Sequence, residues 1–304
     1  MAVHSLLGYA LAVPDIEAGR RFYETFGLTS STKPTMAAFR CDGRGHDEVI
    51  LVEGPRKRLH HLRLATDRQG LAEIRARAQR AGIKEIDPPL RDDGEGVWLT
   101  DDDGNRVNVR VAEPPPGSIG KTMAPYNTPG SYGRIGAVGC PPAGTTRPRR
   151  LGHVLLFTPD VERKMRFYSD VFGFRLSDRS GDIIAFMHLP GGGDHHVLAF
   201  AKSDKPGFHH ASFEVGSVDE IGMGAQQVMG AGYANGWGFG RHVIGSNFFH
   251  YVRDPWNSLA EYFCDIDRIP PDGSWRPKDY PPHEALYRWG PPPPEDFVRN
   301  FEAD

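Results

Sequence analysis

Apolar and polar positions change period several times along the chain. Residues 151–158, LGHVLLFT, form a β-rich run. Pro-Asp follows, and then Met165, Tyr168 and Phe172 recur at three- and four-residue spacing. That change predicts a strand followed by a helix with Asp160 near its N-cap. The segments IIAFMHL (183–189), HVLAFAK (196–202), HHASFEV (209–215), FFHYVRD (248–254) and SLAEYFCD (258–265) read as strands, and 217–230 fits a second helix.

The same order occurs earlier. LLGYALAVPDIEAGRRFYETFGL (6–28) matches LGHVLLFTPDVERKMRFYSDVFGF (151–174) with a one-residue gap, HHLRLATD (60–67) matches 209–216, and DDDGNRVNVRV (101–111) matches DPWNSLAEYFC (254–264). The chain is a duplicated unit. The expected fold class is α+β, with two similar domains of mostly antiparallel sheet. The expected boundaries are 1–112, a Gly/Pro-rich linker at 113–150, a second domain at 151–265, and a Pro-rich arm at 266–304. The arm has two readings, a structural segment packed on the surface, or a lid or subunit-contact arm near a site.

Composition narrows the class. Of 304 residues, 39% are hydrophobic and 25% charged, a globular balance, and the net charge of −3 gives no reason to expect nucleic acid or an anionic membrane as partner. No apolar run approaches the ~20 residues of a membrane helix, and the start of the chain lacks the pattern of a secretory signal. Cys41, Cys140 and Cys264 are scattered, with no CxxC. That fits a reducing, cytoplasmic setting and excludes a cysteine metal cage.

Candidate chemistry lies where the duplicated units differ. The second carries His153, His210 and Glu261 at positions matched by Tyr9, His61 and Asn108 in the first. Two imidazoles and one carboxylate on three strands form the ligand set of a 2-His-1-carboxylate facial triad. Glu261 sits in an apolar run, SLAEYF, where a carboxylate is costly unless paired or metal-bound. In GFHHASFEV, strand alternation allows only one of His209 and His210 to face inward.

These motifs, LGHVLLFTPD, GFHHASFEV and SLAEYF, resemble those of the type I extradiol ring-cleavage dioxygenases of the vicinal oxygen chelate superfamily. The resemblance spans about residues 5–265. It implies duplicated βαβββ modules with metal in the C-terminal domain only, held by His153, His210 (rather than His209) and Glu261. It implies Fe(2+), with Mn(2+) as the other choice, and a catechol-type substrate cleaved with O2. In HVLAF the family's acid–base histidine falls at His196, with His195 out of register. His242 and Tyr251 fall at the positions that contact substrate hydroxyls. A homo-oligomer is also implied.

The turn before Glu261 departs from the family's Asp-Pro-small-Gly, reading DPWNS. His188, His195 and His250 are expected to be surface or packing residues, and Phe186, Phe248 and Trp256 are candidate apolar walls. His242 follows Arg241 in what reads as a Gly-rich loop, and could there be merely solvated. Two other functions remain open: a glyoxalase-type isomerase or transferase with another metal, and a non-catalytic small-molecule-binding protein.

Overall fold

The computed structural model describes residues 3–33, 36–90, 95–116 and 125–303. The first unit runs β1 (Ser5–Val13), α1 (Ile16–Thr25), β2 (Thr29–Lys33), β3 (Met36–Arg40), β4 (Val49–Glu53), β5 (Arg58–Thr66), α2 (Arg68–Arg80), β6 (Gly96–Thr100) and β7 (Arg106–Val111). Its seven strands form one sheet, in the order β2-β3-β4-β1-β5-β7-β6. In the linker, β8 (Asn127–Thr128) and β9 (Ser131–Tyr132) make a small exposed hairpin.

The second unit begins with β10 (Arg150–Thr158) and α3 (Val161–Phe167), which continues into a wider helical turn over 168–172. Then come β11 (Arg175–Ser180), β12 (Ile184–His188), β13 (Gly193–Asp194), β14 (Leu198–Lys202), β15 (Gly207–Glu214) and α4 (Val218–Gly230). Three long strands, β16 (Asn235–His242), β17 (Phe248–Arg253) and β18 (Leu259–Cys264), complete the unit, and the short β19 (Arg268–Ile269) follows. Within the arm lie α5 (Pro282–Ala285) and β20 (Tyr287–Trp289). The main sheet runs β11-β12-β14-β10-β15-β18-β17-β16-β20. The arm therefore contributes an edge strand to the second sheet. Both sheets are mainly antiparallel, with parallel pairs at β1/β4, β5/β7, β10/β14 and β15/β18.

The helices begin where the side chains dictate. Asp15, Asp67, Asp160 and Ser217 each accept a hydrogen bond from the backbone three residues on, satisfying an otherwise orphaned N–H. One face of β10 puts Leu151, Val154 and Leu156 into the core between sheet and helices. The other presents His153, Leu155 and Phe157 to a cavity. The two units also lock together: Tyr262 donates to the Phe26 carbonyl at 2.7 Å and stacks on its ring at 4.0 Å.

Two sequence expectations change. His242 ends strand β16 and does not lie in a loop; NGWGFGRH alternates glycine with larger residues, a period-two pattern masked by its glycine content. Strand pairing aligns Gly8, not Tyr9, with His153: Gly8 lies opposite Arg63 as His153 lies opposite Ser212, while Tyr9 corresponds to Val154. Both units carry the same β-bulge here, so it leaves their correspondence unchanged; Pro14-Asp15 and Pro159-Asp160 end the two strands in that register, and the shared Leu-Gly misleads a string match by one residue. In the DPWNS turn, Asp254 accepts from the Trp256 and Ser258 N–H groups, and Asn257 takes the left-handed conformation at φ 66°. Asn tolerates that region better than most residues.

Candidate metal centre

Strands β10, β15 and β18 are adjacent, and His153, His210 and Glu261 meet on the second sheet. All three are buried, and one ligand-type atom from each lies within 4.8 Å of the others. His153 Nε2 is 3.2 Å and His210 Nε2 3.6 Å from Glu261 Oε2. The other carboxylate oxygen, Oε1, accepts from Asn247 Nδ2 at 3.2 Å. Asn247 thereby turns Oε2 toward the imidazoles. Neither Glu261 Oε2 nor His210 Nε2 has a hydrogen-bond partner, though both are buried. A buried carboxylate oxygen left without a donor, facing a bare imidazole nitrogen, is what a divalent cation would satisfy. The donor set fits ferrous or manganous ion, and three ligands leave room for exogenous ones.

The alternation expected of His209 and His210 fails, for a visible reason. Leu155 pairs with His210 and Leu156 with Phe208, so His209 is the extra residue of a β-bulge. Both rings then line the same cavity. His210 approaches Glu261, while His209 lies behind it, with Nδ1 2.6 Å from His210 Nδ1 and Nε2 2.7 Å from the Phe297 carbonyl.

The remaining predicted residues gather around the cluster. The His196 ring is 4.3 Å from that of His153. Burial, and then the neighbouring imidazoles, push its pKa well below the ordinary histidine value. His242 donates from Nδ1 to the Leu286 carbonyl at 2.7 Å, so its Nε2 accepts from the Tyr251 hydroxyl at 3.0 Å. Burial lowers the His242 pKa, and burial together with Glu261 raises that of Tyr251.

Some supporting residues were not evident from the sequence. Of the two readings for His195, surface or packing, the buried one holds, and its ring does more than pack: Nε2 contacts Asp178 at 2.9 Å and Nδ1 contacts His196 at 3.0 Å. His188 and His250 are buried too. Phe186 lines the cavity, but Phe248 packs on Phe239, and the Trp256 ring lies over Gly19 in the first unit. Asn247, Leu286 and Phe297 had no sequence signal, because two of them act through backbone carbonyls.

The cavity holds about 320 Å³ and has mostly apolar walls, including Phe157, Ile184, Phe186, Ala199 and Leu286. The arm contributes part of its mouth through Pro282, Ala285, Leu286, Phe297 and Val298.

The model of the Glyoxalase/Bleomycin resistance protein/Dioxygenase superfamily matches residues 5–109 and 150–262. The chain belongs to this superfamily. Metapyrocatechase 2 of Cupriavidus necator is 46% identical over 304 residues, covering 99% of this chain and 93% of that protein. An iron-dependent extradiol dioxygenase of Rhodococcus jostii is 30% identical over 158 residues, 48% of this chain and 51% of that one. The fold matches the Mn(II)-bound glyoxalase from Novosphingobium aromaticivorans with TM-score 0.80 and 24% identity, covering 100% of this chain and 99% of that one. In this superfamily member all three candidate ligands come from the second unit. The first offers Gly8, His61 and Asn108 at the corresponding positions, with Trp98 4.7 Å from the His61 ring.

Proposed function

We propose that the chain is an extradiol dioxygenase, opening the ring of a catechol-type substrate with O2 beside its two hydroxyls. His153, His210 and Glu261 would hold the metal, Fe(2+) in the first instance and Mn(2+) as the other candidate. The observation that carries this reading is the orphaned His210 Nε2, from a residue lining an apolar cavity large enough for an aromatic ring, facing the orphaned Glu261 Oε2. The 46% identity to a metapyrocatechase over nearly the whole chain supports it.

When bound by His153, His210 and Glu261, the ion would supply Lewis acidity that lowers the pKa of a substrate hydroxyl. The chain's own residues do the rest. Apolar walls at Phe186 and Ala199 hold the ring and exclude water. Asn247 fixes the Glu261 carboxylate. The carboxylate of Asp178 accepts from His195 Nε2–H, and we take His196 Nδ1–H as the donor to His195 Nδ1. His196 Nε2 is thus left with its lone pair, able to take a hydroxyl proton from the substrate and return it to the opening ring. The Leu286 carbonyl fixes the tautomer of His242, which in turn orients the Tyr251 hydroxyl beside the carboxylate. With both protons of this pair committed, the Tyr251 oxygen would accept from a substrate hydroxyl. The chain would act as a homo-oligomer.

Ferrous loading followed by anaerobic catechol titration tests the proposal. The wild type should bind about one iron per chain and form a coloured ring-cleavage product only on admitting oxygen. Alanine at His153, His210 or Glu261 should abolish stoichiometric iron in a folded protein. Full iron occupancy in His210→Ala would overturn the ligand assignment. A glyoxalase-type activity without oxygen consumption would overturn the reaction.

A further inference from the structure

The bulge at His209 has a consequence beyond placing a second imidazole near the cavity. A carbonyl can only accept, so the 2.7 Å contact with Phe297 requires a proton on His209 Nε2. His209 is buried, and its two ring nitrogens meet an imidazole and a carbonyl, neither of them an anion that would hold a second proton there. Its Nδ1 must then accept, and the 2.6 Å partner, His210 Nδ1, must donate. His210 is thereby fixed as the Nδ1–H tautomer, with a bare lone pair on Nε2, the atom that faces Glu261.

The start of this chain of hydrogen bonds lies in the C-terminal segment, which is tied down at several points. Asp296 pairs with Arg253 at 2.7 Å, and Asn300 donates to the Lys205 carbonyl at 2.8 Å. Glu302 forms a buried ion pair with Lys57 of the first unit at 2.6 Å and accepts from Leu59 N–H. The Phe297 ring meets His209 at 5.1 Å, Trp237 at 4.7 Å and Tyr251 at 5.2 Å. Its carbonyl is therefore held in place by contacts on both sides.

We propose that His209 is a positioning residue through which the seated C-terminal segment presets the tautomer of His210 and so sets metal affinity. The inference rests on the assignment of His210 as a ligand. It turns the arm from a cover over the cavity into a support for the metal site, anchored through Lys57 to the unit that carries no ligands. Such outer partners of metal-bound imidazoles are worth 10–100-fold in affinity.

The test measures ferrous affinity of the metal-free full chain anaerobically against a competing chelator. In His209→Phe, affinity should fall by ~10–100-fold. In His209→Gln most of it should return, because the amide can donate to Phe297 while its oxygen accepts from His210. Glu302→Lys, which opposes Lys57, should loosen the segment to protease and weaken metal binding in the same direction. In 15N-histidine spectra of the metal-free protein, the His210 proton should stay on Nδ1 in the wild type and the Gln variant and divide between nitrogens in the Phe variant. Wild-type affinity in His209→Phe, a Gln variant no better than Phe, or undiminished affinity in Glu302→Lys with a released segment would each overturn the proposal. If His209→Phe does not fold, the Gln variant and Glu302→Lys decide alone. A wild type that takes up no iron removes the ligand assignment and this inference with it, whereas normal wild-type uptake with an indifferent His209→Phe removes only this inference.

Discussion

Lys164 lies on α3 of the second unit with its side chain fully buried, and its ammonium meets the 101–103 loop of the first unit. Nζ is 2.7 Å from Asp101, 3.2 Å from Asp102 and 2.8 Å from Asp103. One buried cation thus compensates three carboxylates, with Arg163 outside it and the Tyr168 hydroxyl donating to Asp101. In Lys164→Met the chain length is kept and the charge removed. Breaking a buried pair by deleting one partner costs about 3–5 kcal/mol, because the remaining charge stays buried. The variant can relieve this by taking up a proton, and Asp102 is the candidate, since burial already raises its pKa. In that case the folded variant holds about one more proton than its unfolded chain, so its stability falls as pH rises. From pH 7.5 down to 5.0 the penalty should shrink by up to about 3 kcal/mol, the limit for one proton held across the whole window at 1.36 kcal/mol per pH unit. Urea unfolding of both proteins at the two pH values measures this. Lys164 is not in the cavity wall, so iron content per folded chain should not change. A loss below about 1 kcal/mol at pH 7.5, or one that does not change with pH, would refute the reasoning.

Two further outcomes follow from the structure. His250 is buried, donates to Asn235 at 2.9 Å, and has its pKa lowered by burial to about 4, so the unfolded chain binds more protons between about pH 4 and 6.5 and stability rises with pH across that window. His250→Gln should flatten the urea-midpoint profile there by up to about 3 kcal/mol; Asp254, raised by burial to about 6, pulls the opposite way and should be unaffected, and an unchanged slope would exclude His250 as a source. Ala199→Leu adds three carbons to the cavity wall and should raise KM for a ring-substituted catechol several-fold more than for catechol itself; equal changes in steady-state assays would mean that the substituent points elsewhere.

Much of the fold and the residues of the candidate site were legible because both rest on local signals. Period-two runs, N-cap residues and internal repetition mark the strands, the helices and the duplication, and a carboxylate in SLAEYF is conspicuous without any structure. What was not legible depends on one-residue register shifts and on the backbone. The shared Leu-Gly draws Tyr9 onto His153 in a string match although Gly8 holds that place, and a β-bulge brings His209 to the cavity beside His210. Strand β16 is hidden by its glycines, and the carbonyls of Leu286 and Phe297 carry no side-chain signature. The arm, open in sequence between a surface brace and a lid, lines the cavity mouth and supplies strand β20.

The bulge itself separates scaffold from site. In the first unit Ala10 pairs with His61 and Leu11 with Leu59, so His60 is bulged as His209 is, and the two imidazoles meet through Nδ1 at 2.7 Å. A bulged histidine pair therefore comes with the duplicated strand, with or without a carboxylate opposite. The difference lies in three neighbours. At the place of His153 stands Gly8, where even a Cβ would come within 2.4 Å of the Glu48 carbonyl oxygen, leaving no volume for a ring. Asn108 replaces the carboxylate and donates toward the Val97 carbonyl. Trp98, opposite Asn108 as Tyr251 is opposite Glu261, fills the space over His61. Burial there holds the His61 pKa down to about 2, so the ring is a neutral packing group. In the second unit, β16 lies beyond β17 and offers His242 as a partner for the Tyr251 hydroxyl, and the space over His210 stays open. One inherited strand geometry thus gives a filled core in one half and a cavity in the other, and packing around the histidine pair decides which.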